Sequence, residues 1–219
     1  MIHFGTGGWR AVIADEFTKA NLRLLAAGLC RMMDREGYHS AEIAVGYDRR
    51  FLAKEAAHWL AEVLTANGFR VLMVNRSSPT PLIMYAVKAN DMPYGMMVTA
   101  SHNPAIYNGV KLFTRGGRDA DETITHALEA DIAAIDENEI RSIDYDKALA
   151  DGLIREDNPV NDYIDSILSL ADTDAIKKAR LKVALDPMYG VSLTGLMTIL
   201  YSSRCDVDVI NDEHDAFFG

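Results

Sequence analysis

Short apolar runs alternate along this chain with longer stretches whose apolar residues recur at helical spacing, and that alternation leaves few architectures open. Residues 19–36 carry Leu22, Leu25, Ala26, Leu29 and Met33 on one helical face, with Thr18 placed to cap the start and Gly37 to end it. Residues 53–67 repeat the pattern through Ala56, Leu60, Val63 and Leu64 and stop at Gly68. A third helix is predicted from Pro81 to about residue 89, because proline suits the first turn, and a fourth over 121–135. Between them, residues 42–47, 70–75, 94–98 and 110–114 read as strands. Strands separated by helices imply an α/β fold of three layers, a mixed but largely parallel sheet with helices on both faces.

The acidic stretch 136–151 has weak periodicity and reads as a solvated linker, which puts a first domain at 1–140. Beyond it, helical patterns at 160–179 and 191–202 alternate with strand runs at 181–185 and 206–210. Residues 151–219 are therefore expected to open a second, similar α/β domain.

Composition excludes several function classes. The 219 residues are 49% hydrophobic and 25% charged, ordinary for a globular protein. A net charge of -10 argues against nucleic acid, whose phosphates demand a basic footprint. Local arginines and lysines can still hold a phosphorylated ligand inside a crevice. Cys30 and Cys205 form no Cys-x-x-Cys pair, so neither a zinc site nor a disulfide framework is indicated. The beginning of the sequence lacks a signal-peptide pattern and no apolar run reaches membrane-spanning length, which leads us to expect a cytoplasmic protein.

The run Thr99-Ala100-Ser101-His102-Asn103-Pro104 carries the chemistry. It follows the strand-like run 94–98, and ligands of open α/β sheets bind beyond the carboxyl ends of strands, so Ser101 is placed in a reactive crevice. An ordinary loop serine, bonding locally through its hydroxyl, is the competing account. Other motif readings fall away. Gly5-Thr6-Gly7-Gly8-Trp9-Arg10 has Arg10 where a dinucleotide loop needs glycine. No Gly-x-x-x-x-Gly-Lys-Ser/Thr occurs. Thr99 and Asn103 stand where a hydrolase elbow needs glycines. Glu213, His214 and Asp215 are adjacent residues of a solvated run, and His3, His39, His58 and His126 lack metal-ligand spacing.

The serine run, followed by Asn108-Gly109-Val110-Lys111, resembles the active-serine loop of the α-D-phosphohexomutases, the phosphoglucomutase/phosphomannomutase family. Phe4-Gly5-Thr6-Gly7-Gly8-Trp9-Arg10, Val45-Gly46-Tyr47-Asp48-Arg49-Arg50 and Pro79-Thr80-Pro81 resemble further family motifs in the right order. Leu185-Asp186-Pro187-Met188-Tyr189-Gly190 resembles the opening of the family's second domain. The resemblance implies movement of phosphate between C1 and C6 of a hexose phosphate through a phosphoserine and a hexose 1,6-bisphosphate. It makes Ser101 the catalytic phosphate carrier and, through that phosphate, a ligand of Mg²⁺.

Arg10 offers a planar fork matched to phosphate oxygens, within a glycine-rich loop at Thr6 and Gly7 that lets backbone approach a phosphate. Lys111 is a candidate proton shuttle for the sugar hydroxyl, since a desolvated lysine loses its proton readily. His102 and Asn103 are expected to orient the phosphate or the serine loop. Arg50 matches a family position, as a substrate contact or as a salt-bridge partner. No Asp-Gly-Asp-x-Asp-Arg loop, the family's source of metal carboxylates, occurs in the sequence. We therefore expect an N-terminal piece of a protein about twice as long, completed by C-terminal domains and inactive alone. The Gly-Gly-Trp-Arg form departs from the Gly-x-Asp-Gly-Ile-Arg associated with phosphoglucosamine mutases. The alternative is a stand-alone, non-catalytic domain that binds phosphosugars or a protein.

Overall fold

The structure, a computed structural model, describes residues 2–5 and 8–219. The first part runs β1 (Trp9–Val12), α1 (Lys19–Arg35), β2 (Glu42–Tyr47), α2 (Ala53–Ala66), β3 (Arg70–Val74), α3 (Thr80–Ala89), β4 (Tyr94–Val98), β5 (Tyr107–Thr114), β6 (Arg118–Asp119), α4 (Glu122–Ala133), α5 (Tyr145–Ala150) and β7 (Ile154–Asp157). Its strands form one sheet in the order β1-β5-β4-β2-β3-β7, with β6 paired to β5. β4, β2, β3 and β7 pair in parallel, whereas β1, β4 and β6 each pair antiparallel to β5. β5 alone therefore runs against the rest. The sheet is mixed and largely parallel, as the alternating pattern implies.

Helices α1, α2, α4 and α5 cover one face, where Leu22, Leu25, Leu29, Leu60, Leu64 and Tyr145 join one buried cluster with Val45, Val71 and Met96. α3 covers the other, burying Ile83, Ala86 and Val87 against Ala44, Leu72, Met97 and Phe113. Gly95 seats it, since a Cβ there would strike the Val87 side chain. The Thr18 hydroxyl accepts from the Asn21 N–H and caps α1, as its position before the helix implies.

The acidic stretch is not a linker. Ile143 N–H donates to Glu62 O at 3.0 Å, Tyr145 and Ala148 are buried, and the Tyr145 ring stacks on His58 at 3.6 Å. β7 then extends the sheet alongside β3. The sheet accordingly continues past residue 140 to Asp157. Four apolar anchors, Ile143, Tyr145, Ala148 and Ile154, hold the segment while its many charges face solvent, and a composition-weighted reading sees the charges.

The second part holds α6 (Val160–Leu170), α7 (Thr173–Ala179), β8 (Lys182–Leu185), α8 (Leu193–Ser202) and β9 (Asp206–Val209). The helix expected over 160–179 is two helices, because Ala171 turns extended and the Asp172 carboxylate caps α7 at the Ala175 N–H. β8 and β9 pair in parallel as a separate two-stranded sheet. Among the described residues no helix is long and apolar enough to cross a membrane.

Candidate active site

Parallel pairing places Tyr47 of β2 beside Val98 of β4, so the two strands end at the same sheet edge. Asp48 and Thr99 are the next residues out, and they meet: the Thr99 hydroxyl donates to Asp48 Oδ2 at 2.6 Å. Thr99 Oγ1 in turn accepts the Ser101 N–H at 3.0 Å. A largely buried carboxylate thus fixes a buried hydroxyl, which fixes the serine's backbone. Ser101 itself is exposed and has φ of 57°, in the left-handed region that an L side chain enters only at a cost of about 1–3 kcal/mol.

That strain is held by Arg50. Its side chain is buried, and its two terminal nitrogens donate to four loop carbonyls: Ser101 O at 2.8 Å, Asn103 O at 2.7 Å, Pro104 O at 3.1 Å and Tyr107 O at 3.0 Å. The loop is wrapped around one guanidinium. Asp48 lies beside it, with Oδ1 accepting the Arg50 N–H at 2.9 Å and Oδ2 at 3.6 Å from Nε. Burial pushes the Asp48 pKa up, opposed by the bonds from Thr99 and Arg50 and by the Arg50 charge. Burial likewise pulls Arg50 down, opposed by Asp48, with Arg10 adding a smaller downward push. Of the two roles expected for Arg50, the structure gives it the ionic and scaffolding one; its fork is spent on the loop.

The other expected residues divide. His102 is exposed, with Nδ1 at 3.4 Å from Ser101 Oγ. Arg10 reaches the loop from β1, Nη1 donating to Asn103 Oδ1 at 2.8 Å. Gly109 lets β1 and the loop close up, because a Cβ there would collide with the Trp9 carbonyl. Lys111 sits on β5 opposite Met97, and its ammonium lies 3.7 Å from Asp119 Oδ1. It is on the same sheet, with its charge set beside a carboxylate of β6. Thr6 and Gly7 lie outside the described residues.

A cavity of about 300 Å³ opens beside the serine, lined among others by Asp48, Arg49, Thr99, Ser101 and His102, by Thr80 and Pro81 at the start of α3, and by Phe218. The positive end of the α3 dipole therefore faces a place where negative charge would sit. Arg49, not Arg50, is the arginine that lines it. Sequence reasoning quoted Asp48, Thr99 and Arg49 within motifs and gave none of them a role in the site. The signal was present in the adjacent pair Arg49-Arg50, since neighbouring side chains after a strand point apart. Nothing in a single sequence says which one turns inward.

Magnesium does not fit the donors present. Among the described residues no group of three or more His, Cys, Asp or Glu could hold a metal ion. Asp48, which lines the cavity beside the serine, has both oxygens occupied by Thr99 and Arg50.

A family description, "Phosphoglucomutase/phosphomannomutase, alpha/beta/alpha domain I", matches residues 1–139. The chain belongs to this family. It is 30% identical over 217 residues to a phosphoglucomutase/phosphomannomutase of Thermococcus kodakarensis, covering 98% of this chain and 46% of the relative. A phosphoglucosamine/phosphogalactosamine mutase of Sulfurisphaera tokodaii is 28% identical, over 98% of this chain and 45% of its own length. The crystal structure of a Thermus thermophilus protein assigned as a phosphomannomutase superposes with a TM-score of 0.87 at 31% identity, covering 99% of this chain and 47% of that one. The chain thus spans about half the length of the curated relatives it matches. Near-equal similarity to relatives with different sugar names leaves the family clear and the sugar open; the Gly-Gly-Trp-Arg form does not decide it.

Proposed function

We propose that this chain is the serine-bearing half of a phosphohexomutase, in which Ser101 Oγ accepts and returns the phosphoryl group exchanged between C1 and C6 of a hexose phosphate. The observation that carries the reading is the held serine loop: an exposed hydroxyl in a left-handed conformation, fixed by Asp48, Thr99 and Arg50 at the carboxyl end of β4. Preorganisation of a nucleophile is what phosphoryl transfer asks of a protein, since the reaction is mostly positioning and charge stabilisation. In this reading Arg10 and Asn103 orient the phosphate, His102 steers the hydroxyl, and Lys111 exchanges Asp119 for the sugar hydroxyl. Carboxylates for a magnesium ion would come from further domains of a longer polypeptide.

The full-length protein should interconvert hexose 1-phosphate and 6-phosphate when primed with hexose 1,6-bisphosphate. Ser101→Ala should lower turnover by at least about a thousandfold, the scale expected when a covalent nucleophile is removed. The 219-residue chain alone should give no rate above background. Arg10→Met and Lys111→Met should lower turnover far more than melting temperature, because the first acts on phosphoryl charge and the second on the proton of the sugar hydroxyl. Turnover that survives Ser101→Ala would overturn the reading.

A further inference from the structure

A second cavity, of about 300 Å³, adjoins the serine crevice and shares Arg49, Pro79 and Val191 with it. It lies between the loop after β3 and the second part of the chain, and its polar lining comes from Arg49, Arg76, Ser77, Asn158 and Thr194. Two guanidinium groups therefore border one small space. Among the described residues neither comes within ion-pair distance of a carboxylate, although the protein carries ten more negative than positive charges. Among the described residues the Arg49 side chain meets only backbone carbonyls of Tyr189, Asp212 and Glu213, at 3.2 to 3.5 Å and all through Nη1, which leaves its other nitrogens without a partner there. The Arg76 side chain is exposed and donates no hydrogen bond to a described residue.

We infer that this cavity is a second phosphate site, in which Arg49 and Arg76 hold a phosphate dianion and Ser77, Asn158 and Thr194 supply neutral polar contacts. Paired arginine forks suit phosphate geometry, and two of them without carboxylate partners among the described residues of an acidic protein leave uncompensated positive charge there for an anion to meet. The ligand class is a phosphate monoester or free phosphate, since both present the same dianion. The partly buried Tyr163 ring on the cavity wall gives a sugar ring an apolar surface that free phosphate would not use. This site is distinct from Ser101 and stands whether or not that serine carries phosphate.

Inorganic phosphate and glucose 6-phosphate, titrated separately into the ¹⁵N-labelled 219-residue chain, test the inference. Backbone amide shifts should move at Ser77, Asn158 and Thr194 in the wild type and equally in Ser101→Ala. Arg76→Gln should weaken binding at least about tenfold, the loss expected for one charge-assisted fork. Arg76→Lys should restore part of it. Tighter binding of glucose 6-phosphate than of inorganic phosphate would identify a sugar phosphate as the ligand, and equal affinity would identify the free ion. Shifts confined to residues 99–103, no saturable binding of either probe, or unchanged affinity in Arg76→Gln would each overturn it.

Discussion

Residues 8–157 and 158–219 are built from the same kinds of element and differ in what those elements bury. In the first region α1 alone buries eight residues, and β2 and β4 are buried along nearly their whole length. In the second, α6 buries only Ile164, while α7 and α8 bury none, and Leu196 and Tyr201 of α8 are exposed. Helical propensity is therefore not what separates the regions. Tertiary burial, which supplies most of the stability of a short helix, is present in one and sparse in the other. The serine loop stands wholly on the well-buried side, while the walls of both cavities borrow residues from the other.

The sharpest test of that contrast is a matched pair of truncations. Leu25→Ala should destabilise the first region by about 3 kcal/mol, as a buried leucine does, and Leu196→Ala should change stability by less than about 0.5 kcal/mol. Urea unfolding followed by circular dichroism measures both. Comparable losses would mean that α8 is packed far better than its exposure indicates.

Next in size is a contrast within one dipeptide. Arg50→Met leaves Asp48 buried beside unpaired carbonyls and should cost about 3 kcal/mol, whereas Arg49→Met, removing only long bonds to carbonyls, should cost under about 1 kcal/mol. Hydrogen exchange at residues 101–107 should quicken in the first variant alone.

The smallest effect is on pH. Burial, with Lys54 nearby, lowers the His58 pKa below its ordinary value, so the folded state binds this proton less readily than the unfolded chain does. Stability from this group is therefore present above about pH 6.5 and lost as pH falls below it. His58→Phe keeps the stack on Tyr145 and should flatten the fall in melting temperature between about pH 7 and 5. An unchanged slope would assign it to other groups.

Much of this architecture was legible in the sequence because amphipathic periodicity reports burial directly. The strands 42–47 and 94–98 and the helix beginning at Lys19 agree with their observed bounds to within a residue. β1 and β7 were not legible. Each is four residues long, and Trp9–Val12 and Ile154–Asp157 are defined by the partner they pair with rather than by pattern. At the site, the serine run was legible as a motif, but the Asp48–Thr99 bond joins residues 51 apart in sequence and exists only through β2–β4 pairing. The role of Arg50 was hidden for the same reason: four carbonyls on a distant loop leave no trace in residue types.

The central claim is that the loop is held in order to present Ser101 to a phosphoryl group. Full-length protein incubated with glucose 1,6-bisphosphate, digested and read by tandem mass spectrometry tests it most directly. The account predicts phosphate on the peptide containing Ser101, assigned to that residue and absent in Ser101→Ala; phosphate on another residue with Ser101 unmodified would contradict it.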